Sequence, residues 1–249
     1  MFKITLDNAD LLKNSIPIIA EIIDEGVFRV DSKGLSLLSP DRSMIALVDF
    51  HLLSTAFEDF KVTGENHLGL NLTNLVAVIK RIKTGDKVIL SKDDESNVLE
   101  VVIKGKGTRR FELPLLNIST EKPPIEQLKF KGKIELDSRV LEEGITDADI
   151  VDDSIVFEGE PHAFKIWAKG DINSSQLELK KGEEGLDKIE VVEPLRSRYP
   201  LEYLKKMMKA SKFSDKVLLE FANDYPLKLV FKDIDKIHLS FVLAPRVEE

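Results

Sequence analysis

The chain has 249 residues, of which 43% are apolar and 32% are charged, a length that suits one large domain or two ordinary ones with a buried core. It lacks cysteine, which excludes disulfides and thiolate zinc sites, and it shows neither a signal peptide nor the roughly 18 consecutive apolar residues of a membrane span, so we expect an intracellular protein. The formal net charge of -8 argues against a nucleic-acid partner unless lysines are concentrated at one place, because phosphate repels carboxylate.

The first half of the chain predicts two helices among short strands. The first helix covers about Asn8 to Ile23, and the second covers about Leu72 to Lys83. Pro17 lies inside the first helix, where an interior proline costs about 3 kcal/mol or more, so we expect that helix to be kinked or short. Segments rich in β-branched and aromatic residues, separated by turn residues, then predict antiparallel hairpins at Lys87–Lys92, Val98–Lys104 and Arg109–Leu116.

A connector is predicted between the halves of the chain, at Asn117–Phe130. It contains adjacent prolines at positions 123 and 124, which supply no amide hydrogen and stiffen an extended path over a surface. We therefore predict an N-terminal domain at 1–117, an interdomain connector at 118–130 and a C-terminal domain at 131–249.

The second half repeats this order of elements. Helices are predicted at about Ser138 to Val151 and Leu201 to Lys212, and short strands are predicted at Ser154–Gly159, Phe164–Gly170 and Ile237–Ala244. Each half is therefore a mostly antiparallel sheet that carries two helices. The predicted fold class is α+β, with two topologically similar antiparallel-sheet domains.

The two halves are also similar in sequence. When the chain is shifted by about 129 positions, Leu72–Leu90 falls on Leu201–Leu219, and identical residues meet in the helix and in the strand that follows it. The segment Ile4–Asp7 likewise falls on Ile134–Asp137. Chance similarity between two lysine-rich helices would not carry the register through the strand, so we interpret the chain as one unit used twice.

The second helix of each half has a lysine-rich side. In the second half, an apolar stripe is predicted to face the sheet at Leu201, Leu204, Met207, Met208 and Ser211, while Lys205, Lys206 and Lys209 point the opposite way. In the first half the stripe is Leu72, Leu75, Ile79 and Ile82, and Lys80 takes the place of Lys209. Such lysines can serve solubility and the helix dipole alone. Their repeated position in an acidic chain favours a surface that contacts phosphate without reading base sequence.

The sequence predicts no catalytic residue, no metal site and no cofactor. The histidines at positions 51, 67, 162 and 238 stand singly, without the spacing of a metal site or a catalytic triad. The segment Gly105–Gly107 lacks the strand, loop and helix context of a phosphate-binding loop, so a basic hairpin turn is the better interpretation. The chain is therefore predicted to be no enzyme.

A resemblance to a known family rests on four segments, Asp31–Leu52, Gly69–Lys83, Tyr199–Ala210 and Phe241–Glu249. In this order they resemble the proliferating cell nuclear antigen family of DNA sliding clamps, most closely its archaeal members, over essentially the whole chain. The resemblance implies three subunits closed into a ring around duplex DNA, with helices lining the hole. It also implies docking of DNA polymerase, clamp loader, flap endonuclease and DNA ligase through PIP-box peptides in replication and repair, in the cytoplasm at the nucleoid of an archaeal cell.

The resemblance implies three sets of site residues. DNA-facing side chains would be Lys13, Lys80, Arg81, Lys83, Lys205, Lys206 and Lys209. A hydrophobic pocket for the partner peptide would comprise Pro40, Met44, Ile45, Leu47, Pro123, Ile125, Phe130, Pro226, Val242, Leu243, Ala244 and Pro245. Subunits would pair through edge strands at Thr108–Leu115 and Ser175–Lys180, with interface residues Arg109, Arg110, Phe111, Leu113, Leu177 and Leu179.

Several alternatives stay open at this stage. Ile45, Leu47 and Leu243 could belong to the core, and both interface segments could be ordinary sheet strands. A monomeric scaffold would use the lysines for solubility only, and a phosphate-processing enzyme would need a metal cluster that the sequence does not show. The three subunits could be identical or different. The acidic helix Ser138–Val151 is expected to contribute little to holding DNA, and Met44 replaces a histidine of many relatives.

Overall fold

A computed structural model of the protein describes residues 1–119, 123, 125–233 and 235–247. Residues 120–122 and 124 of the predicted connector and the last two residues of the tail lie outside the described residues. The chain divides into two compact units. The first unit contains Met1–Met44, Val48–Pro123 and Asp233–Leu239, and the second contains Ile45–Leu47, Pro124–Lys232 and Ser240–Glu249. The domain boundaries inferred from the sequence stay a prediction.

The first unit is built from antiparallel strands and two helices. Its strands are β1 (Phe2–Leu6), β2 (Glu25–Asp31), β3 (Gly34–Pro40), β4 (Ala46–Leu53), β5 (Asp59–Val62), β6 (Asn66–Asn71), β7 (Lys87–Lys92), β8 (Val98–Lys104) and β9 (Thr108–Pro114). Its helices are α1 (Asp10–Ala20) and α2 (Leu72–Ile79). The strands are neighbours in the orders β5-β1-β7-β8-β9 and β4-β3-β2-β6.

The second unit has the same succession of elements. Its strands are β10 (Gly132–Asp137), β11 (Ser154–Glu160), β12 (Ala163–Lys169), β13 (Ser174–Lys180), β14 (Leu186–Glu190), β15 (Leu195–Pro200), β16 (Lys216–Phe221), β17 (Leu227–Asp233) and β18 (Ile237–Leu243). The last residue of β17 and the first three residues of β18 are assigned to the first unit, and Ala46 and Leu47 of β4 to the second. Its helices are α3 (Ser138–Asp149) and α4 (Leu201–Met208). The strands are neighbours in the orders β14-β10-β16-β17-β18 and β13-β12-β11-β15, which correspond to those of the first unit.

The strand registers confirm that one unit occurs twice. Ile4 of β1 lies opposite Leu90 of β7, and Ile134 of β10 lies opposite Leu219 of β16. Leu90 and Leu219 are the residues that meet when the sequence is shifted by about 129 positions. The predicted α+β class, with two similar antiparallel domains, is thereby confirmed.

The second helix of each unit packs through the apolar stripe predicted for it. In α2 and the turn after it, Leu72, Leu75, Ile79 and Ile82 are buried. In α4, Leu201, Leu204, Met207 and Met208 are buried, while Ser211 is half-buried. α1 contacts α2 in the first unit, and α3 contacts α4, β12 and β13 in the second. Burial of an aliphatic side chain stabilises the fold by about 1.5–3 kcal/mol, so these stripes fix which side of each helix faces outward.

The helices are shorter than the sequence patterns predict. α1 runs only from Asp10 to Ala20 and contains Pro17, whose missing N–H leaves the Lys13 carbonyl without its intrahelical donor. After α2, the Arg81 and Ile82 N–H groups donate to carbonyls three residues earlier, and α4 continues into a 3₁₀ turn at Lys209–Lys212. Apolar periodicity continues through such tightened turns, which explains the overlong predictions.

Candidate DNA, partner and subunit surfaces

The first cationic cluster follows the C-terminal end of α2. The Asn71 side chain caps the helix by accepting the Asn74 N–H at 3.0 Å, and the buried stripe turns the opposite side outward. Lys80 is the C-cap residue, and Lys80, Arg81 and Lys83 are all exposed. Three positive side chains therefore follow one another where carbonyl groups end a helix, a position that favours cations.

A buried carboxylate fixes the turn that carries these charges. Asp86 is 8% exposed, and its Oδ2 accepts the Lys83 N–H at 3.0 Å and Arg109 Nη2 at 2.5 Å. Arg109 Nη1 also donates to the Arg81 carbonyl at 2.8 Å. Gly105 lies so close that a Cβ there would stand 2.0 Å from Asp86 Oδ1. Asp86 thus ties the cationic turn to β9, a connection that the sequence did not reveal.

The second cationic cluster lies along α4. Lys209 is the C-cap residue of α4, as Lys80 is of α2, and both are exposed. Lys206 is half-buried, donates to Glu202 Oε1 at 2.6 Å and lies over the Tyr203 ring. Lys205 donates to Asp149 Oδ2 at 2.7 Å. The lysine side predicted for α4 therefore exists, but acidic neighbours engage Lys205 and Lys206.

Asp149 belongs to the acidic helix α3, which also contacts the segment that follows α4. Glu142 Oε2 accepts a hydrogen bond from the Ser211 hydroxyl at 2.9 Å, and Arg139 lies 3.6 Å from Asp215. Glu143 and Asp147 are exposed on the same helix. Lys13, the remaining predicted DNA residue, is half-buried on α1. The two units therefore differ in electrostatics, because positive charge dominates the end of α2 whereas α3 and α4 carry both signs.

The residues predicted for the peptide pocket fall into three groups by burial. Met44 and Ile45 are 73% and 38% exposed, and Met44 has a left-handed backbone with φ of 58°. Leu47 and Leu243 are buried in the core. The half-buried members are Pro40, Pro123, Ile125, Phe130, Pro226, Val242, Ala244 and Pro245.

Specific contacts hold the C-terminal tail in the second unit. The Ala244 N–H donates to the Ile45 carbonyl and the Arg246 N–H donates to the Arg198 carbonyl, both at 2.8 Å. The Arg246 guanidinium also donates to Asp153 Oδ1 at 2.5 Å, and this hydrogen bond holds the pKa of the Asp153 carboxyl below its usual value. Half-buried apolar side chains on a fixed backbone give a surface that a peptide can contact.

The end of the connector is held by an aromatic contact. The Phe130 and Tyr225 rings meet edge to face with centroids 5.9 Å apart, and the Lys129 N–H donates to the Tyr225 hydroxyl at 3.3 Å. Pro226 follows Tyr225 directly. The structure thus brings Phe130 and Pro226 to the same part of the second unit.

The two predicted interface strands stand at ends of their strand orders. β9 follows β8 at the end of one order, and β13 precedes β12 at the end of another. They share one burial pattern, with Phe111 and Leu177 half-buried and Leu113 and Leu179 buried. Arg110 is exposed and pairs with Glu100 at 3.1 Å. Within the described residues, each strand therefore has a backbone edge that no neighbour in its order occupies.

The prediction that the histidines stand singly is wrong for two of them, because the His51 and His238 rings meet edge to face with centroids 6.0 Å apart. His51 Nε2 lies 2.8 Å from Asp49 and His67 Nε2 lies 3.0 Å from Glu65, both at exposed sites. In the described part of the chain, no group of three or more His, Asp or Glu residues is arranged to hold a metal ion. None of the helices in the same residues is long and apolar enough to cross a membrane.

Comparisons with known proteins agree over the whole chain. The family model described as the N-terminal domain of proliferating cell nuclear antigen matches residues 1–122, and that of its C-terminal domain matches residues 124–246. The DNA polymerase sliding clamp of Pyrococcus horikoshii is 35% identical over 248 residues, which cover 100% of this chain and 99% of that protein. The DNA polymerase sliding clamp of Nanoarchaeum equitans is 33% identical over 98% of this chain and 99% of its own length. A crystal structure of PCNA from Thermococcus kodakaraensis matches with a TM-score of 0.91 at 28% identity, covering 99% of this chain and 100% of that one.

Proposed function

Since the chain belongs to the proliferating cell nuclear antigen family, we propose that it is a homotrimeric ring that encircles duplex DNA and tethers replication and repair enzymes. Its general function is that of a DNA polymerase sliding clamp, a processivity factor that catalyses no reaction. The ring, the DNA-facing side chains and the peptide surface are the specific parts of the proposal.

The position of the lysines carries the DNA part of the proposal. Lys80 and Lys209 hold the same C-cap position in the two units, and each is exposed next to a buried apolar stripe. Lysine contacts to phosphate are sequence-independent and weaken with salt. A closed ring does not need tight contacts, because encirclement retains the DNA while weak contacts permit sliding.

The two edge strands support ring closure. β9 belongs to the first unit and β13 to the second, so pairing of β9 with β13 of another copy is head to tail. A head-to-tail contact closes into a ring when its rotation allows closure. Backbone pairing would cover both edges, which are otherwise prone to non-specific association.

The partner surface is proposed for the tail and its surroundings in the second unit. Ile45, Val242, Ala244 and Pro245 offer apolar contacts, and hydrogen bonds hold the tail backbone in place. A peptide with aromatic and aliphatic anchors would bury these side chains. DNA polymerase, clamp loader, flap endonuclease and DNA ligase are the proposed classes of partner.

A retention experiment on linear duplex DNA tests encirclement without a clamp loader. The protein is mixed with a bead-bound duplex whose free end is blocked either before or after mixing, and retention is measured after a salt wash. We expect retention only when the end is blocked after mixing, because a ring threads over an open end. Equal retention in both arms would overturn encirclement, and light scattering should give about three times the subunit mass of 28.1 kDa.

The same assay tests the lysines. Lys80→Glu with Lys209→Glu should lower retention at moderate salt, because two phosphate-facing charges in every subunit of the ring are reversed. Lys61→Glu with Lys131→Glu is the matched control, since these lysines are exposed on β5 and directly after the connector. Equal losses in both double variants would remove the assignment of Lys80 and Lys209.

A further inference from the structure

The turn between β12 and β13 carries a solvent-exposed isoleucine. Ile172 is 97% exposed, although an isoleucine side chain is among those most often buried. The turn is well held, because the Gly170 N–H donates to the Asn173 carbonyl at 2.9 Å and Gly170 packs against Val151. Ile150, the neighbour of Val151 at the end of α3, is also 75% exposed. Two apolar side chains therefore stand at the end where β13 begins.

A similar apolar stretch follows β9. Pro114 ends the strand and is exposed, and Leu116 beyond it is 37% exposed. This stretch is also fixed, since the Leu115 N–H donates to the Asn97 carbonyl at 3.0 Å and the Leu116 N–H donates to the Gly69 carbonyl at 2.8 Å. An apolar partner could thus bind here without ordering the chain first.

Antiparallel pairing of β9 with β13 of another copy would bring these two places together. β9 and β13 both have seven residues, so full antiparallel overlap places Leu116 of one copy opposite Ile172 of the next. The same register sets Arg110 opposite Glu178, an opposite-charge pair, and Phe111 opposite Leu177, two half-buried side chains. A shift by two residues keeps the faces matched and places Ile172 opposite Pro114 instead. Ile172 meets an apolar side chain in either case.

We propose that Ile172 is a subunit-contact residue that packs on the Pro114–Leu116 stretch of the neighbouring copy, beyond the paired strands. The occupant of this apolar patch is a second copy of the chain, because the two apolar patches adjoin the strands proposed to pair and the opposite charges of Arg110 and Glu178 lie on those strands. The inference rests on the proposed ring. It adds an apolar contact that anchors the end of each subunit junction.

Dissociation of the trimer tests this contact. Ile172→Ser in the full chain should raise the concentration at which half of the trimer dissociates by at least about tenfold, since one buried isoleucine is lost at each of the three junctions of the ring. Val192→Ser is the matched control, because Val192 is 93% exposed in the loop after β14, away from β13 in the strand order. Sedimentation velocity over a dilution series measures both, and circular dichroism checks that each variant is folded.

A double variant identifies the partner side chain. Leu116→Ser should weaken assembly as well. The double variant should lose less assembly free energy than the sum of the two single variants, because both substitutions remove the same contact. Trp167, the single tryptophan, lies opposite Gln176 of β13 and gives a fluorescence reading of assembly at the same junction.

The outcomes separate this inference from the proposed ring. An unaltered chain that is monomeric at all concentrations would overturn the ring and this contact together. If the unaltered chain is a trimer and Ile172→Ser dissociates like Val192→Ser, only the Ile172 contact is refuted.

Discussion

Asp86 should stabilise the first unit far more than its repeat counterpart Asp215 stabilises the second. Asp86 is 8% exposed and accepts hydrogen bonds from the Lys83 N–H and the Arg109 guanidinium. The Asp215 side chain is 89% exposed, and its nearest charged partner, Arg139, is 3.6 Å away. Replacing either residue by asparagine removes the charge and preserves the size of the side chain.

The expected loss follows from these contacts. A hydrogen bond to a charged group contributes about 1.5–3 kcal/mol, and the amide of the substituted side chain could keep one of the two bonds, so Asp86→Asn should cost about 2 kcal/mol. For a chain of this size that lowers Tm by about 4–8 °C. An exposed ion pair contributes about 0–1 kcal/mol, so by the same conversion Asp215→Asn should lower Tm by no more than about 4 °C.

Thermal unfolding followed by circular dichroism measures both variants, at one protein concentration because assembly itself raises Tm. Because Asp86 and Asp215 lie in different units, a second pair of variants compares two positions within the first unit. Gly105→Ala would place a Cβ 2.0 Å from Asp86 Oδ1 and should also destabilise, whereas Gly107→Ala in the same turn meets nothing within 4 Å. If Asp86→Asn and Asp215→Asn unfold at the same temperature, the stabilising role of Asp86 is wrong.

Two further predictions concern the acidic partners of cationic residues. Asp149→Asn should release Lys205 from its 2.7 Å ion pair and raise the salt concentration that the DNA retention assay tolerates, whereas Glu193→Gln, which releases Lys131, should leave it unchanged. Asp153→Asn should weaken binding of a PIP-box peptide slightly, as measured by calorimetry, because the Arg246 contact is mostly exposed. The lowered pKa of Asp153 means that this contact is fully present above the ordinary value of about 3.9 and is lost only as pH falls through the lowered pKa, so affinity that changed near neutral pH would contradict the assignment.

Repetition made much of the fold predictable from the sequence. One spacing relates the second helix of each half, the turn after it and the strand that follows. An assignment of helix and strand made in one half can therefore be checked against the other half. The pairing of Val88 with Leu6 and of Val217 with Leu136 shows that the spacing preserves strand register as well. Helix ends were harder to predict, since apolar spacing does not distinguish α turns from the 3₁₀ turns at Arg81–Ile82 and Lys209–Lys212.

Contacts between side chains far apart in sequence could not be predicted. Asp86 and Asp215 are the same residue type at the same repeat position, yet only Asp86 is enclosed, because Gly105 and Arg109 of the β8–β9 hairpin approach it. Lys205 and Asp149 are 56 residues apart, and only the packing of α3 on α4 brings them to 2.7 Å. A repeated spacing fixes which face a residue occupies, but the neighbouring elements decide its environment.

In the proposed ring, the unequal charges of the two units would affect sliding along DNA. If all the helices presented only lysines, more phosphates would be contacted at once and a moving ring would be held more tightly. In the proposed ring, Asp149 of α3 would compete with phosphate for Lys205, so the second unit would offer contacts that exchange readily between DNA and Asp149. In the exposed cluster after α2, neither Lys80 nor Lys83 forms an ion pair with a described residue, so no carboxylate competes with phosphate there. Retention would then depend chiefly on the first unit, while the second keeps the contacts weak enough for movement along the duplex.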